Sequence, residues 1–155
     1  MGNKDSRLVD EVHLLQVAGT LAAALPCGHG LMVYLQGDLG AGKTTFVRGL
    51  LRALGHQGAV KSPTYTLLET YQVGQQRVHH IDLYRLTSPE EVEFLGFDEL
   101  DQEHDWTLIE WPQMGLGFLP DCDLLIALEI EGLNRRLTLS AQSEIGMEIV
   151  KKIQP

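Results

Sequence analysis

Gly37-Asp38-Leu39-Gly40-Ala41-Gly42-Lys43-Thr44 fits G-x-x-x-x-G-K-S/T, the phosphate-binding loop pattern, and its reading decides the rest of the chain. The spacing has a chemical reason. The glycines let backbone wrap closely round a phosphate chain without Cβ clashes. Successive N–H groups then point inward as a nest for anionic oxygens. Lys43 carries a mobile positive charge to the outer phosphates, and the Thr44 hydroxyl is placed to coordinate Mg²⁺. A helix beginning near Gly42 adds its positive end. The flanks agree. Leu31–Leu35 is a short apolar run that suits a buried strand. Thr45–Leu54 reads as a helix with Phe46, Leu50 and Leu54 on one face, and Gly55 stops it.

Working outward, Arg7–Leu25 carries Leu8, Val12, Leu15, Ala18, Ala22 and Leu25 at helical steps. That predicts one amphipathic helix capped by Asp5 or Ser6, behind a frayed end at residues 1–5. Downstream, Tyr65–Val73 and Arg77–Tyr84 flank a turn at Gln72–Gln76 and predict an antiparallel hairpin. Ser62-Pro63-Thr64 before it is a restricted loop with two hydroxyls. Thr64 or Thr66 is a candidate sensor of Mg²⁺ and the γ-phosphate. Val78–Asp82 is a β-type run ending in a carboxylate, which suits Asp82 as a second Mg²⁺ anchor. Trp106–Trp111 repeats that pattern. Glu110 is then a second site candidate, to orient or deprotonate water or to support Mg²⁺, with Trp111 beside the nucleotide.

Ser88-Pro89-Glu90-Glu91 predicts a helix start with Ser88 as cap and Glu91 completing a capping box. From Glu90 to Asp105 come Glu90, Glu91, Glu93, Asp98, Glu99, Asp101, Glu103 and Asp105, with no Lys or Arg. This run is either a solvated face or a docking surface for a basic partner. A last hairpin is expected from Asp123–Ile130 and Arg135–Leu139, then a short helix over Ser143–Ile153. No chemistry is evident in these last elements.

The 155 residues suit a single domain spanning 1–155 with a sizeable core. A net charge of −9 argues against direct nucleic-acid binding through a basic face. No apolar run reaches the ~20 residues of a membrane span. Met1–Asp10 lacks the apolar core of a signal peptide. The distant Cys27 and Cys122 fit reduced thiols in a cytoplasmic protein.

Four stretches together, G-D-L-G-A-G-K-T at Gly37–Thr44, S-P-T-Y-T-L at Ser62–Leu67, H-I-D-L-Y-R at His80–Arg85 and Glu110-Trp111-Pro112, closely resemble the TsaE (YjeE) family of bacterial tRNA threonylcarbamoyladenosine biosynthesis ATPases. The resemblance covers Leu31–Pro112 and the preceding helix. It implies an α/β fold, a P-loop NTPase-like three-layer sandwich whose mostly parallel central sheet carries added antiparallel strands. It implies binding of ATP and Mg²⁺ and slow, partner-stimulated hydrolysis. The implied partner is the TsaB–TsaD heterodimer, with tRNA met only through that complex. TsaD makes the transfer to the adenosine beside the anticodon of tRNAs reading A-starting codons, and the ATP cycle resets the complex.

In residues, the resemblance implies nucleotide binding by Asp38, Leu39, Gly40, Ala41, Gly42, Lys43, Thr44 and Thr45, with Trp111 near the nucleotide. Thr44, Asp82 and Glu110 fall to Mg²⁺. Lys43, Asp82, Glu110 and Thr64 form the catalytic set, with Thr64 as γ-phosphate sensor. No arginine finger is evident, and Arg85 is a candidate in cis. Two other readings are a small-molecule P-loop kinase, which needs a lid rich in arginines that this chain does not offer, and a nucleotide-dependent scaffold without useful hydrolysis.

Overall fold

A computed structural model describes residues 3–154 of the chain. Its frame is one seven-stranded mixed sheet of order β1-β7-β6-β2-β5-β4-β3. The four central strands are β6 (Leu124–Glu131), β2 (Leu31–Gln36), β5 (Trp106–Glu110) and β4 (Gln76–Asp82), and all run parallel. β3 (Leu68–Val73) adds antiparallel to β4 at one side. β7 (Asn134–Ala141) and β1 (Lys4–Val9) add antiparallel at the other. The expected mostly parallel centre with antiparallel additions is therefore observed, as are both hairpins.

β2 shows why a continuous apolar run makes a central strand. Leu31, Val33 and Leu35 enter the core on one face, while Met32 and Tyr34 pack on the other. The first face is covered by α1 (Glu11–Ala24), α2 (Lys43–Ala53) and α3 (Glu144–Ile153), whose buried residues join one apolar cluster. The opposite face is covered by 3-10 segments at Pro89–Leu95, Phe97–Glu99 and Pro112–Gly115, through Val92 and Phe97. The third layer is thus built of tight turns. α1 and α2 approach closely at Gly49, where a Cβ would lie 2.9 Å from Leu15 Cδ2. Among the described residues no helix is long and apolar enough to cross a membrane.

The N-terminal expectation needs correction. Lys4–Val9 is a strand, neither frayed nor part of α1, and it pairs with β7 from Lys4↔Ser140 to Val9↔Arg135. The helix starts after Asp10, whose carboxylate accepts from His13 N at 2.8 Å, so neither Asp5 nor Ser6 is the cap. Leu8, counted toward the helical stripe, is 49% exposed. The open backbone edge of β7 captures this segment, which local periodicity does not report. Met1 and Gly2 lie outside the described residues.

The Ser88 capping box also forms differently. Ser88 makes no side-chain cap bond. Glu91 accepts instead from Thr87 N and Thr87 Oγ1, at 3.0 and 2.9 Å. Of the eight acidic residues in the run, Asp105 is buried, with Oδ2 2.8 Å from His79 Nε2.

Candidate functional site

β2 delivers the chain to the glycine loop, and α2 begins directly beyond it, with Gly42 at φ 111° as its N-cap. Gly37 is confined for another reason: a Cβ there would lie 2.6 Å from Leu128 O. Lys43 is only 4% exposed. Its Nζ donates to Gly37 O at 2.5 Å and Asp38 O at 3.1 Å, and lies 4.5 Å from the centroid of a Trp111 ring. Burial lowers the Lys43 pKa from its ordinary value, against the pull of Glu110, Asp82 and Asp38. Trp111 has φ 57°, a left-handed conformation that strains a large residue. It holds its ring against Tyr84, with centroids 4.8 Å apart.

Asp82 and Glu110 end adjacent parallel strands and are direct register partners. The topology thus sets two carboxylates side by side at the carboxyl ends of the strands, the usual crevice of an open α/β sheet. Both are nearly enclosed, at 3% and 2% exposure. Thr44 Oγ1 donates to Glu110 Oε2 at 3.0 Å, joining the loop to β5. Thr64 Oγ1 donates to Asp82 Oδ2 at 3.0 Å, and Tyr84 N donates to Asp82 Oδ1 at 2.9 Å. Burial raises the Asp82 pKa and is partly offset by the Tyr84 N–H.

These groups line one cleft of about 220 Å³, which takes in Leu39, Gly40, Gly42, Lys43, Thr44, Thr45, Thr64, Asp82, Glu110 and Trp111. Asp38 lines neither this cleft nor its neighbour and touches the site through its carbonyl, which accepts from Lys43 Nζ. Ala41 lines an adjoining cleft of about 300 Å³ that shares Gly40, Gly42 and Thr45. Of the two threonine candidates, Thr64 lines the cleft, whereas Thr66 Oγ1 bonds Glu69 and does not line it. Arg85 stacks on Tyr65, its guanidinium carbon 4.1 Å from the ring centroid, and does not line the cleft.

Four residues here were not singled out from the sequence. Ser62 and Tyr84 line the cleft, and Ser62 Oγ lies 2.7 Å from Thr64 Oγ1. Arg135, in the C-terminal hairpin, donates to Ala41 O at 3.0 Å and Gly40 O at 3.2 Å. His80 Nε2 lies 2.6 Å from Glu110 Oε2. His80 and Tyr84 lie within the H-I-D-L-Y-R stretch, which was the available signal. Nothing local marks Arg135.

The donor set suits a hard cation shared with phosphates. Thr44, Asp82 and Glu110 offer oxygen only, the preference of Mg²⁺. Among the described residues no group of three or more His, Cys, Asp or Glu is arranged to hold a metal by itself. One hydroxyl and two carboxylates leave coordination places for phosphate oxygens and water, which is how Mg²⁺ is commonly held at nucleotide sites.

Comparison with known proteins gives a consistent result. The family model described as Threonylcarbamoyl adenosine biosynthesis protein TsaE matches residues 8–138. The tRNA threonylcarbamoyladenosine biosynthesis protein TsaE of Haemophilus influenzae is 44% identical over 144 residues, covering 91% of each chain. The protein of that name from Rickettsia bellii is 36% identical over 138 residues, covering 88% of this chain and 94% of the relative. In three dimensions, the crystal structure of Bacillus subtilis YdiB is similar with a TM-score of 0.81 at 28% identity, covering 99% of this chain and 95% of that one.

Proposed function

This chain belongs to the TsaE family of tRNA threonylcarbamoyladenosine biosynthesis proteins, and from that premise we propose that its cleft is a Mg²⁺-dependent ATP hydrolysis site whose cycle serves the TsaB–TsaD transferase. The observation that carries this reading is the junction of Thr44 with Glu110 at 3.0 Å, with Asp82 abreast in register. A phosphate loop alone only binds. A loop joined to two strand-end carboxylates has what hydrolysis needs.

The backbone N–H groups from Asp38 to Thr45 would cradle the phosphates, with Ala41 N giving up its bond to Asp38 O at 3.0 Å. Lys43 exchanges the Gly37 and Asp38 carbonyls for β- and γ-phosphate oxygens. Thr44 and Asp82 would hold Mg²⁺, supported by Glu110, and the ion supplies charge neutralisation on the phosphates. Glu110 orients the attacking water or takes its proton. Thr64, already bonded to Asp82, reports on the γ-phosphate. The adjoining cleft beside Ala41 and Arg135 offers room for the nucleoside, with Trp111 covering the phosphate side.

The seven acidic residues from Glu90 to Glu103 other than buried Asp105 form the proposed docking surface for TsaB–TsaD. The net charge of −9 favours contact with tRNA only through that complex, in the cytoplasm. ATP hydrolysis measured with and without the TsaB–TsaD pair tests the reading. Stimulation by the pair, abolished by Glu110→Ala, is expected. Absence of stimulation overturns the partner role, and phosphorylation of a small acceptor without the pair would favour a kinase.

A further inference from the structure

His80 lies two residues before Asp82 on β4, so the two side chains share a face of the sheet. It is fully enclosed, at the middle of a strand paired on both sides, opposite Glu69 on β3 and Leu108 on β5. Its Nε2 is bonded to Glu110 Oε2, whereas its Nδ1 is buried without a partner. Glu110 Oε2 also accepts from Thr44 Oγ1, so it is assigned as the acceptor here too, with the ring hydrogen on Nε2 and Nε2 donating. Nδ1 is then an enclosed lone pair with no donor, which costs stability. An apolar side chain of similar size would serve the core better. Packing therefore does not account for this imidazole, and its one bond goes to a site carboxylate.

We propose that His80 is a positioning residue for Glu110: its Nε2–H clamps Oε2 and thereby presents Oε1 to the cleft, where the attacking water is oriented. The proposal rests on the reading of the cleft as an ATP hydrolysis site. Glu110 receives two side-chain bonds, from Thr44 and His80, and both land on Oε2. Among the described residues Oε1 receives none, and Glu110 lines the cleft. The two donors differ in stiffness. Thr44 stands where the loop meets α2, and its hydroxyl rotates freely to suit whatever the loop binds. His80 is held between two strands with its ring enclosed. It gives the carboxylate a fixed orientation while Thr44 adapts. Loss of the His80 bond frees the Glu110 carboxylate to rotate, so turnover falls, whereas nucleotide capture by the loop and Lys43 persists.

The test uses the full chain with TsaB–TsaD and two variants, His80→Leu, which removes the donor, and His80→Gln, whose amide N–H can stand near the place of Nε2. For His80→Leu the expected result is a fall in kcat of roughly ten- to a hundredfold, with KM for ATP changed less than about threefold and a melting temperature no lower than that of the parent. His80→Gln recovers most of kcat. A kcat for His80→Leu within about twofold of the parent overturns the proposal. So does a parallel loss of activity and melting temperature in both variants, which marks a structural role. A second readout needs no hydrolysis: ¹⁵N NMR of the His80 ring in the ligand-free protein. A hydrogen on Nε2, with a resonance that moves in Glu110→Gln, is expected. A bare Nε2 overturns the proposal. Failure of the parent protein to hydrolyse ATP would sink the hydrolysis reading separately, and the NMR result would still decide whether His80 grips Glu110.

Discussion

Burial holds the Asp82 carboxyl above its ordinary pKa, with the Tyr84 N–H opposing and the Glu110 charge adding to the rise. The folded value exceeds the unfolded one. The associated stability is therefore full below the unfolded value and is lost as pH rises through the folded value. Above that folded value the ionised side chain costs the ligand-free fold something, and a bound cation would relieve that cost. Asp82→Asn removes the charge and can still accept from Tyr84 N. The ligand-free variant is expected to melt at or above the parent temperature at pH 7. A gain of only ~1 kcal/mol would appear as roughly 2–4 °C in a chain of this size. The difference should shrink in acid, where the parent Asp82 is protonated. The stabilisation by Mg²⁺ and ATP should be lost, and thermal scans with and without both ligands check all three outcomes. At this scale Asp82 and Glu110 were legible because each ends a β-type run before a turn. The residues alone left Thr64 and Thr66 as alternatives, the family resemblance favoured Thr64, and Thr64 is the one bonded to Asp82. His80 was quoted as part of a resemblance and had no role, because its partner lies thirty residues away.

The C-terminal helix α3 sets two element-scale effects against each other. Ser143 caps it by accepting from Gly146 N at 3.1 Å, and Ser143 Oγ also donates to Asp123 Oδ1 at 2.8 Å. Gly146 stands in the first turn of α3, where helix propensity favours Ala by about 1 kcal/mol. A Cβ there, however, would lie 1.9 Å from Asp123 O. Overpacking against a fixed carbonyl costs ~1–3 kcal/mol or more, so the clash wins. Gly146→Ala is expected to destabilise despite its propensity, which urea unfolding measures; a gain in stability would mean that the helix shifts freely. Helix and hairpin positions were mostly readable, because period and turn chemistry are local. The start of α1 was not. Arg7–Leu25 offers a continuous helical stripe, yet Lys4–Val9 answers to the free edge of β7, more than a hundred residues on.

For the molecule as a whole, β1 closes that edge. Deletion of residues 1–8 would strip the pairing from Lys4 to Leu8 and the bond from Gln154 Nε2 to Lys4 O, and leave β7 as an open edge. A net ~1 kcal/mol for each lost hydrogen bond suggests a loss of several kcal/mol, at roughly 2–4 °C in melting temperature for each kcal/mol. β7 has eight residues against six in β1, and exposed strand edges pair with one another, so the truncated chain should self-associate more than the parent in light scattering. By itself the sequence determined the glycine loop with its flanking strand and helix, both strand-end carboxylates and both hairpins. Each is written in spacing, periodicity and turn residues within a few positions of one another. Tertiary structure alone decided that Asp82 and Glu110 are register partners, that Arg135 braces Gly40 and Ala41, that His80 meets Glu110, and that the N-terminus is a strand. These all depend on which strands become neighbours. Strand order is set by burying shared apolar faces across the whole chain, so no local pattern of residues carries it.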